Sequence, residues 1–281
     1  NMGASDFLEV FSIYGQTSGS GGLSSELARI LIEFDIPDIK TDRDSGLVPS
    51  SGSVEWYLKM YNAPHSQTNP SNFTLQILAV SSSWEEGYGL DMEFYEDITK
   101  DGIGSNWIQA RQSASVSDDG QWSSAGGDYH NSPTFTKTFS SGLEDLEVNV
   151  SELVEQWITG SSGGGKQNYG FGVKFTNALE TATKSFFTKK FFGRDSEFYY
   201  QKPVLEARWD SSRKDDRGNF YASSSLAPAA DNLNNIYIYN NIRGRLRDIP
   251  VPPVNVALRE TATGSNLVTA SVSRESTGIY K

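Results

Sequence analysis

Carboxylates, histidines and tryptophans gathered in glycine-containing stretches are the residues of this chain whose types and spacing could do chemistry. Asp118 and Asp119 in VSDDGQW and Asp128 in GGDYH bring hard oxygen donors into one stretch. Such loops hold calcium through carboxylate and carbonyl oxygens. A calcium site at Asp118, Asp119 and Asp128 is therefore the one metal expectation, although no EF-hand pattern accompanies it, and no other cofactor is expected. Glu85 and Glu86 in SSSWEEGYG, with the same aspartates, are the carboxylate pairs that could serve glycoside hydrolysis. Nothing in their spacing selects an acid and a nucleophile, and adjacent carboxylates in glycine loops read as solvated turns. The two histidines, His65 in NAPHSQTNP and His130 after GGDY, lie in loop-like sequence. No serine sits in a G-x-S-x-G elbow, so a Ser-His-Asp arrangement is unsupported. The expectation is a protein that is not an enzyme.

Aromatic residues cluster in the same loops. Trp84, Trp107 and Trp122 stand beside Tyr88, Tyr95 and Tyr129. Exposed rings stack on sugars, which makes Trp84, Trp107, Trp122 and Tyr129 the candidate carbohydrate-binding residues. The competing reading is that each tryptophan plugs the open end of a sandwich. The glycine-rich GSSGGGKQNYG contains a lysine, but it follows a helical pattern and leads into a strand, the reverse of a phosphate-binding loop.

Composition narrows the partners. The chain has 281 residues, a formal net charge of -11 and no cysteine. The acidic balance argues against nucleic acid, whose phosphates need a basic face. Without cysteine there are no disulfides, thiolate metal sites or cysteine nucleophile. No apolar run has the length of a membrane-spanning helix, so no membrane insertion is expected. The opening NMGASDFLEV and the closing STGIYK both read as cut from a longer chain.

The elements that must position these residues are strands. Apolar residues alternate in ARILIEFDIP (Ile30, Ile32, Phe34, Ile36), VEWYLKMY (Val54, Trp56, Leu58, Met60), FTLQILAV (Phe73, Leu75, Ile77, Ala79) and FGVKF (Phe171, Val173, Phe175). Gly/Ser/Asn/Pro clusters separate them. One helix interrupts at NVSELVEQWITG, where Val150, Leu153, Val154, Trp157 and Ile158 form a single stripe. Asn149 or Ser151 is placed to cap it and Gly160 to end it. The pattern predicts an all-β fold: a jelly-roll-like antiparallel β-sandwich with one short helix over residues 1–210. An extended polar connector is expected over 211–235, and the start of a small immunoglobulin-like β-domain over 236–281.

The stretch FTKKFFGRDSEFYYQKPVLEARWD, from Phe187 to Asp210, sorts as strands. Phe187, Lys189 and Phe191 share one face, Thr188, Lys190 and Phe192 the other. Gly193 to Ser196 reads as a turn, and Pro203 suits a strand start or edge. Leu205, Ala207 and Trp209 suit a closing core strand. The outer face of this last hairpin, with Phe191, Phe198, Tyr200 and Arg208, is the candidate assembly contact.

Several segments in order carry a resemblance: NMGASDFLEV, LARILIEFDIP, SSSWEEGYG, NWIQAR with GQWSSAGGDY, LEVNVSELVEQWITG and NYGFGVKF. Together they resemble the DNRLRE-type β-sandwich, similar to the family-96 carbohydrate-binding modules, over roughly residues 1 to 209. The stretch from KKFFGRDSEFYYQ through NIYIYNNIRGRL is similar to a version found in structural proteins of marine tailed bacteriophages. That resemblance implies a virion location: a tail, neck, fibre or capsid-surface component contacting other virion proteins and its own copies. Host-surface glycan is a further implied partner. The alternative is a carbohydrate-binding module of a secreted polysaccharide-active protein. The family carries over no catalytic residues.

Overall fold

The structure is a computed structural model that describes the chain except residues 1, 18–22, 65–69, 91, 94–95, 98–103, 112–119, 214, 219–223, 229–231, 233 and 251–252. It divides into two compact units, one of Asn1–Lys40 with Ser50–Trp209, the other of Thr41–Pro49 with Asp210–Lys281.

The first unit opens with strands β1 (Phe7–Thr17), β2 (Leu23–Ala28), β3 (Ile30–Ile32), β4 (Glu55–Met60) and β5 (Phe73–Val80). Two short strands follow, β6 (Met92–Glu93) and β7 (Glu96–Asp97), paired only with each other. Then come β8 (Tyr129–Phe139), β9 (Leu146–Asn149), β10 (Phe171–Phe175), β11 (Ser185–Phe192) and β12 (Val204–Arg208). All pairings are antiparallel, and the three larger sheets run β3-β10-β5-β8, β11-β1-β2 and β12-β4-β9. The last two are stitched together just past β4. Ala63 N–H donates to the Lys190 carbonyl and Phe192 N–H to the Tyr61 carbonyl, both at 3.0 Å, with Asn62 bridged to Phe191. The result is an all-β, sandwich-like architecture.

Alternation decides what lies inside. Phe73, Leu75, Ile77 and Ala79 of β5 are buried, while Thr74, Gln76 and Leu78 between them face outward and are half-buried. Phe171, Val173 and Phe175 of β10 continue the core sideways, and Trp56, Leu58, Met60, Phe139, Leu146 and Phe191 complete it. Ring contacts knit the strands: Phe73 to Phe139 at 5.1 Å and to Phe175 at 5.5 Å.

Helix α1 spans Ile36–Asp44, α2 Ser151–Thr159 and α3 Asn177–Glu180, where one helix is predicted from sequence. In α2 the predicted stripe is buried, and Trp157 packs edge-on against Phe171 at 4.6 Å. Asn149 Oδ1 accepts the Ser151 N–H, and Ser151 Oγ accepts the Trp56 N–H, which pins the helix start to β4. The predicted strand through Ile36 stops instead at Ile32. Pro37, which lacks an N–H that would go unbonded in a first turn, and Asp38, facing the helix N-terminus, favour α1 there.

The expected final hairpin also differs. β11 pairs with β1, whereas β12 pairs with β4 at a sheet edge, and a 3-10 turn at Tyr199–Gln201 lies between them. Gly193 N–H donates to the Asp6 carbonyl, and a Cβ at Gly193 would come within 2.7 Å of the Ser5 carbonyl. The chain is thus turned away before it can fold back on β11. Pro203 precedes the edge strand, Leu205 and Ala207 are half-buried, and Trp209 is exposed.

The second unit contains β13 (Ile238–Tyr239), β14 (Asn241–Ile242), β15 (Arg245–Leu246), β16 (Asn255–Arg259), β17 (Asn266–Ser271), β18 (Arg274–Ser276) and β19 (Ile279–Tyr280). They pair as β13-β19-β18 and as the hairpins β14-β15 and β16-β17. Arg243 and Gly244, both at positive φ, make the two-residue turn of the first hairpin. The segment expected as an extended connector is tied back on itself. Asp215 accepts the Tyr237 N–H, and Asp216 and Asn235 exchange hydrogen bonds.

Between β8 and β9, Glu144 Oε1 accepts the backbone N–H groups of Ser140 and Ser141 at 2.8 and 2.7 Å. Those amides, Ser141 first, hold its carboxyl at about 2, below the ordinary 4.5. The stability this contributes is complete above about pH 4.5 and lost as pH falls through about 2. Thermal unfolding across that window should show a declining Tm, with a shallower decline in Glu144→Gln. Phe171→Ala should cost about 3–5 kcal/mol in urea unfolding, since it empties the contact between core and α2.

Candidate functional site

The outer face of the β3-β10-β5-β8 sheet carries the densest polar chemistry of the first unit. Lys174 on β10 points outward, opposite the core side of its strand. Its Nζ reaches Asn177 Oδ1 at 2.6 Å and Glu180 Oε2 at 3.0 Å, both on α3. Arg29, between β2 and β3, grips the same carboxylate with Nε to Oε1 at 3.0 Å and Nη2 to Oε2 at 2.7 Å. Glu180 is only 5% exposed, so one buried carboxylate is held by two cations. Burial works against the Arg29 charge, yet the bonds and field of Glu180 leave its pKa above the ordinary value.

Arg29 then organises the loop layer. Its Nη1 donates to the Gly126 carbonyl at 2.8 Å, and its guanidinium lies 4.8 Å from the Trp107 ring and 5.8 Å from that of Tyr129. Gly126 is at positive φ, and a Cβ there would come within 2.6 Å of Arg29 Nη1. Tyr129 OH donates to the same Gly126 carbonyl. The Tyr129 ring lies so close over Gly172 that a Cβ would meet it at 2.2 Å. Burial raises the phenol pKa, with Arg29 opposing.

Three of the sequence-predicted aromatics, Trp84, Trp122 and Tyr129, thus belong to a small second core. Trp122 is buried with Val80 and Ala110, and Trp84, Tyr129, Tyr169 and Leu31 pack against them. Trp122 Nε1 donates to the Asn106 carbonyl and Trp84 Nε1 to that of Tyr169. Trp84 and Trp107 are half-buried. A free stacking platform built on Trp84, Trp107, Trp122 and Tyr129 is not what these residues form: Trp84, Trp122 and Tyr129 are committed to this core and to backbone carbonyls, and the Trp107 ring carries the Arg29 guanidinium. Tyr88 stands 67% exposed, and Tyr95 lies outside the described residues.

Asp118 and Asp119 also lie outside the described residues, as does His65. Asp128 is a turn organiser: its carboxylate accepts from Ser123 N–H, Ser124 N–H and Ser82 Oγ. Among the described residues no group of three or more acids and histidines is placed to hold a metal ion. Glu86 pairs with Arg194 at 2.9 Å, while a carboxylate oxygen of Glu85 faces the Gly104 N–H, so the two serve different parts of the loop layer.

What the sheet and loops enclose is an open groove of about 650 Å³. Gln76, Leu78, Thr134 and Lys174 line it from the strands, as do Asn131 and His130, the latter suggested as loop by the sequence but both at the start of β8, and Ser82 and Asp128 line it from the loops. Burial, and then the charge of Lys166, keep the His130 pKa below its ordinary 6.5. At neutral pH the groove therefore offers hydroxyl, amide and neutral imidazole groups beside one carboxylate and one ammonium. Gln76 and Thr134 could have been found as outward positions of alternating strands; the meeting of Gln76 and Lys174 with the β8 residues His130 and Asn131 has no sequence signal.

Of the candidate assembly residues, Phe191 is fully buried, with its ring 6.3 Å from Phe139, and belongs to the core. Phe198 is 51% exposed and leans on Phe192 at 5.4 Å, while Tyr200 is 87% exposed. Arg208 is held at the surface by Glu147 at 2.8 Å and by Glu206, over the Tyr57 ring at 4.0 Å. No family model, curated protein or solved structure shows significant similarity to the chain.

Glu180→Leu should destabilise the first unit by about 3–5 kcal/mol in urea unfolding, because it strands two buried cations. Trp122→Ala should likewise register as lost stability.

Proposed function

We propose that the chain is a non-enzymatic structural protein of a bacteriophage particle, acting through contacts with other virion proteins and with further copies of itself. The observation that carries this reading is the aromatic ridge following β11. Phe198, Tyr199 and Tyr200 stand 51%, 75% and 87% exposed on consecutive residues beside the edge strand β12. Rings of that size are enriched in protein contacts and costly to leave in water. The outer side of the adjoining sheet adds Phe7 and Lys190, 4.0 Å apart, and the Arg208, Glu147, Glu206 and Tyr57 group. The ordered resemblance to the phage version of the DNRLRE sandwich supports the particle assignment. Mass spectrometry of purified particles should recover the chain in fixed stoichiometry. Its absence from particles would sink the proposal.

A second reading, a carbohydrate-binding module, is favoured by the groove. Its hydroxyls, amides and imidazole match the alternating donors and acceptors of sugar hydroxyls. On a glycan array, His130→Ala and Asn131→Ala should each weaken any specific signal about tenfold, the effect of one lost hydrogen bond. Retention of full binding by both variants would place the sugar elsewhere.

A further inference from the structure

Lys189 lies on the inward face of β11 and is 1% exposed. Its Nζ is 2.5 Å from Asn62 Oδ1, 2.8 Å from the Gly142 carbonyl and 2.9 Å from the Glu144 carbonyl. The rings of Phe139 and Phe191 stand 4.9 and 5.2 Å away. Lys174 meets a carboxylate directly, whereas Lys189 makes no ion pair among the described residues. An ammonium there sees neutral oxygens and rings. Desolvation brings the pKa down to about 8, against the more distant pull of Glu144 and Asp145, so the free amine is a populated form.

The backbone that carries the carboxamide it touches is held as firmly. Asn62 is bridged to Phe191, its N–H donates to Asp145 Oδ1 at 2.7 Å, and its neighbours Tyr61 and Ala63 are bonded to Phe192 and Lys190. The backbone ladder therefore keeps the buried amine and the half-buried amide in contact, and an effective concentration replaces a chance encounter.

We propose that Lys189 and Asn62 join in an intramolecular amide bond that ties the end of β4 covalently to β11. The neutral Nζ of Lys189 attacks Cγ of Asn62, a carbon–nitrogen bond forms, and the Cγ–Nδ2 bond breaks. One proton leaves Nζ and reaches the departing nitrogen, which is released as ammonia. No oxidant, reductant or other reactant is consumed. The N–H left on the new amide continues to serve one of the two carbonyls.

Intact-mass measurement on the purified, folded full chain tests this. The wild-type chain should weigh about 17 Da less than its sequence, the mass of one ammonia. A digest should contain a branched peptide joining residues 62 and 189. Lys189→Arg and Asn62→Ala should carry full sequence mass, and Asn62→Asp should lose water in place of ammonia. A wild-type chain that is folded by circular dichroism, yet keeps full sequence mass after long incubation near pH 8, would overturn the proposal.

Discussion

Phe73, Leu75, Ile77 and Ala79 on β5 meet Phe171, Val173 and Phe175 on β10 in one continuous apolar surface. Covering that surface is the constraint on which the first unit depends. Each fully buried aliphatic or phenylalanine side chain contributes about 1.5–3 kcal/mol, against which each ordered residue loses chain entropy. The second layer has to span the whole surface, and β11-β1-β2 and β12-β4-β9 do so only because Tyr61–Ala63 and Lys190–Phe192 stitch them together. Helix α2 closes what the strands leave open, with Trp157 edge-on to Phe171.

Burying one face of β10 fixes the chemistry of the other. Lys174 must emerge on the outer side of the sheet, in the middle of the layer. It is kept there by a carboxylate that Arg29 also holds, and Arg29 in turn fixes the loop layer through Gly126, Trp107 and Tyr129. A buried ion cluster of this kind adds little net stability beside an apolar replacement, but removing one member is expensive. Its effect is positional: it sets the loops that wall the polar groove.

The stitch between the half-sheets has a second consequence. It carries an inward lysine past an asparagine with no water between them, and the geometry that completes the sheet also creates a reactive pair. A covalent tie there would reinforce the join that the core most needs, since strands far apart in the chain meet at that point.

Much of this was legible in the residues. Period-two alternation located β4, β5 and β10 and their inward faces, and the 3.6-residue stripe located α2, because both signals are local and report burial directly. The same alternation put Lys189 on the face of Phe187 and Phe191. Pairing was not legible: β12 joins β4 rather than β11, because strand neighbours are chosen by the closing of a layer and not by adjacency in sequence. Nor were the roles of the loop tryptophans, whose exposure depends on what packs over them, or of Phe191, whose inward face appears only once the opposite layer is in place. By itself the sequence determined an all-β chain, its inward faces and an acidic surface poor in histidine. The tertiary structure decided which distant side chains meet, Arg29 with Glu180 and Lys189 with Asn62, since contact across a sandwich follows from strand order and register, which no local pattern encodes.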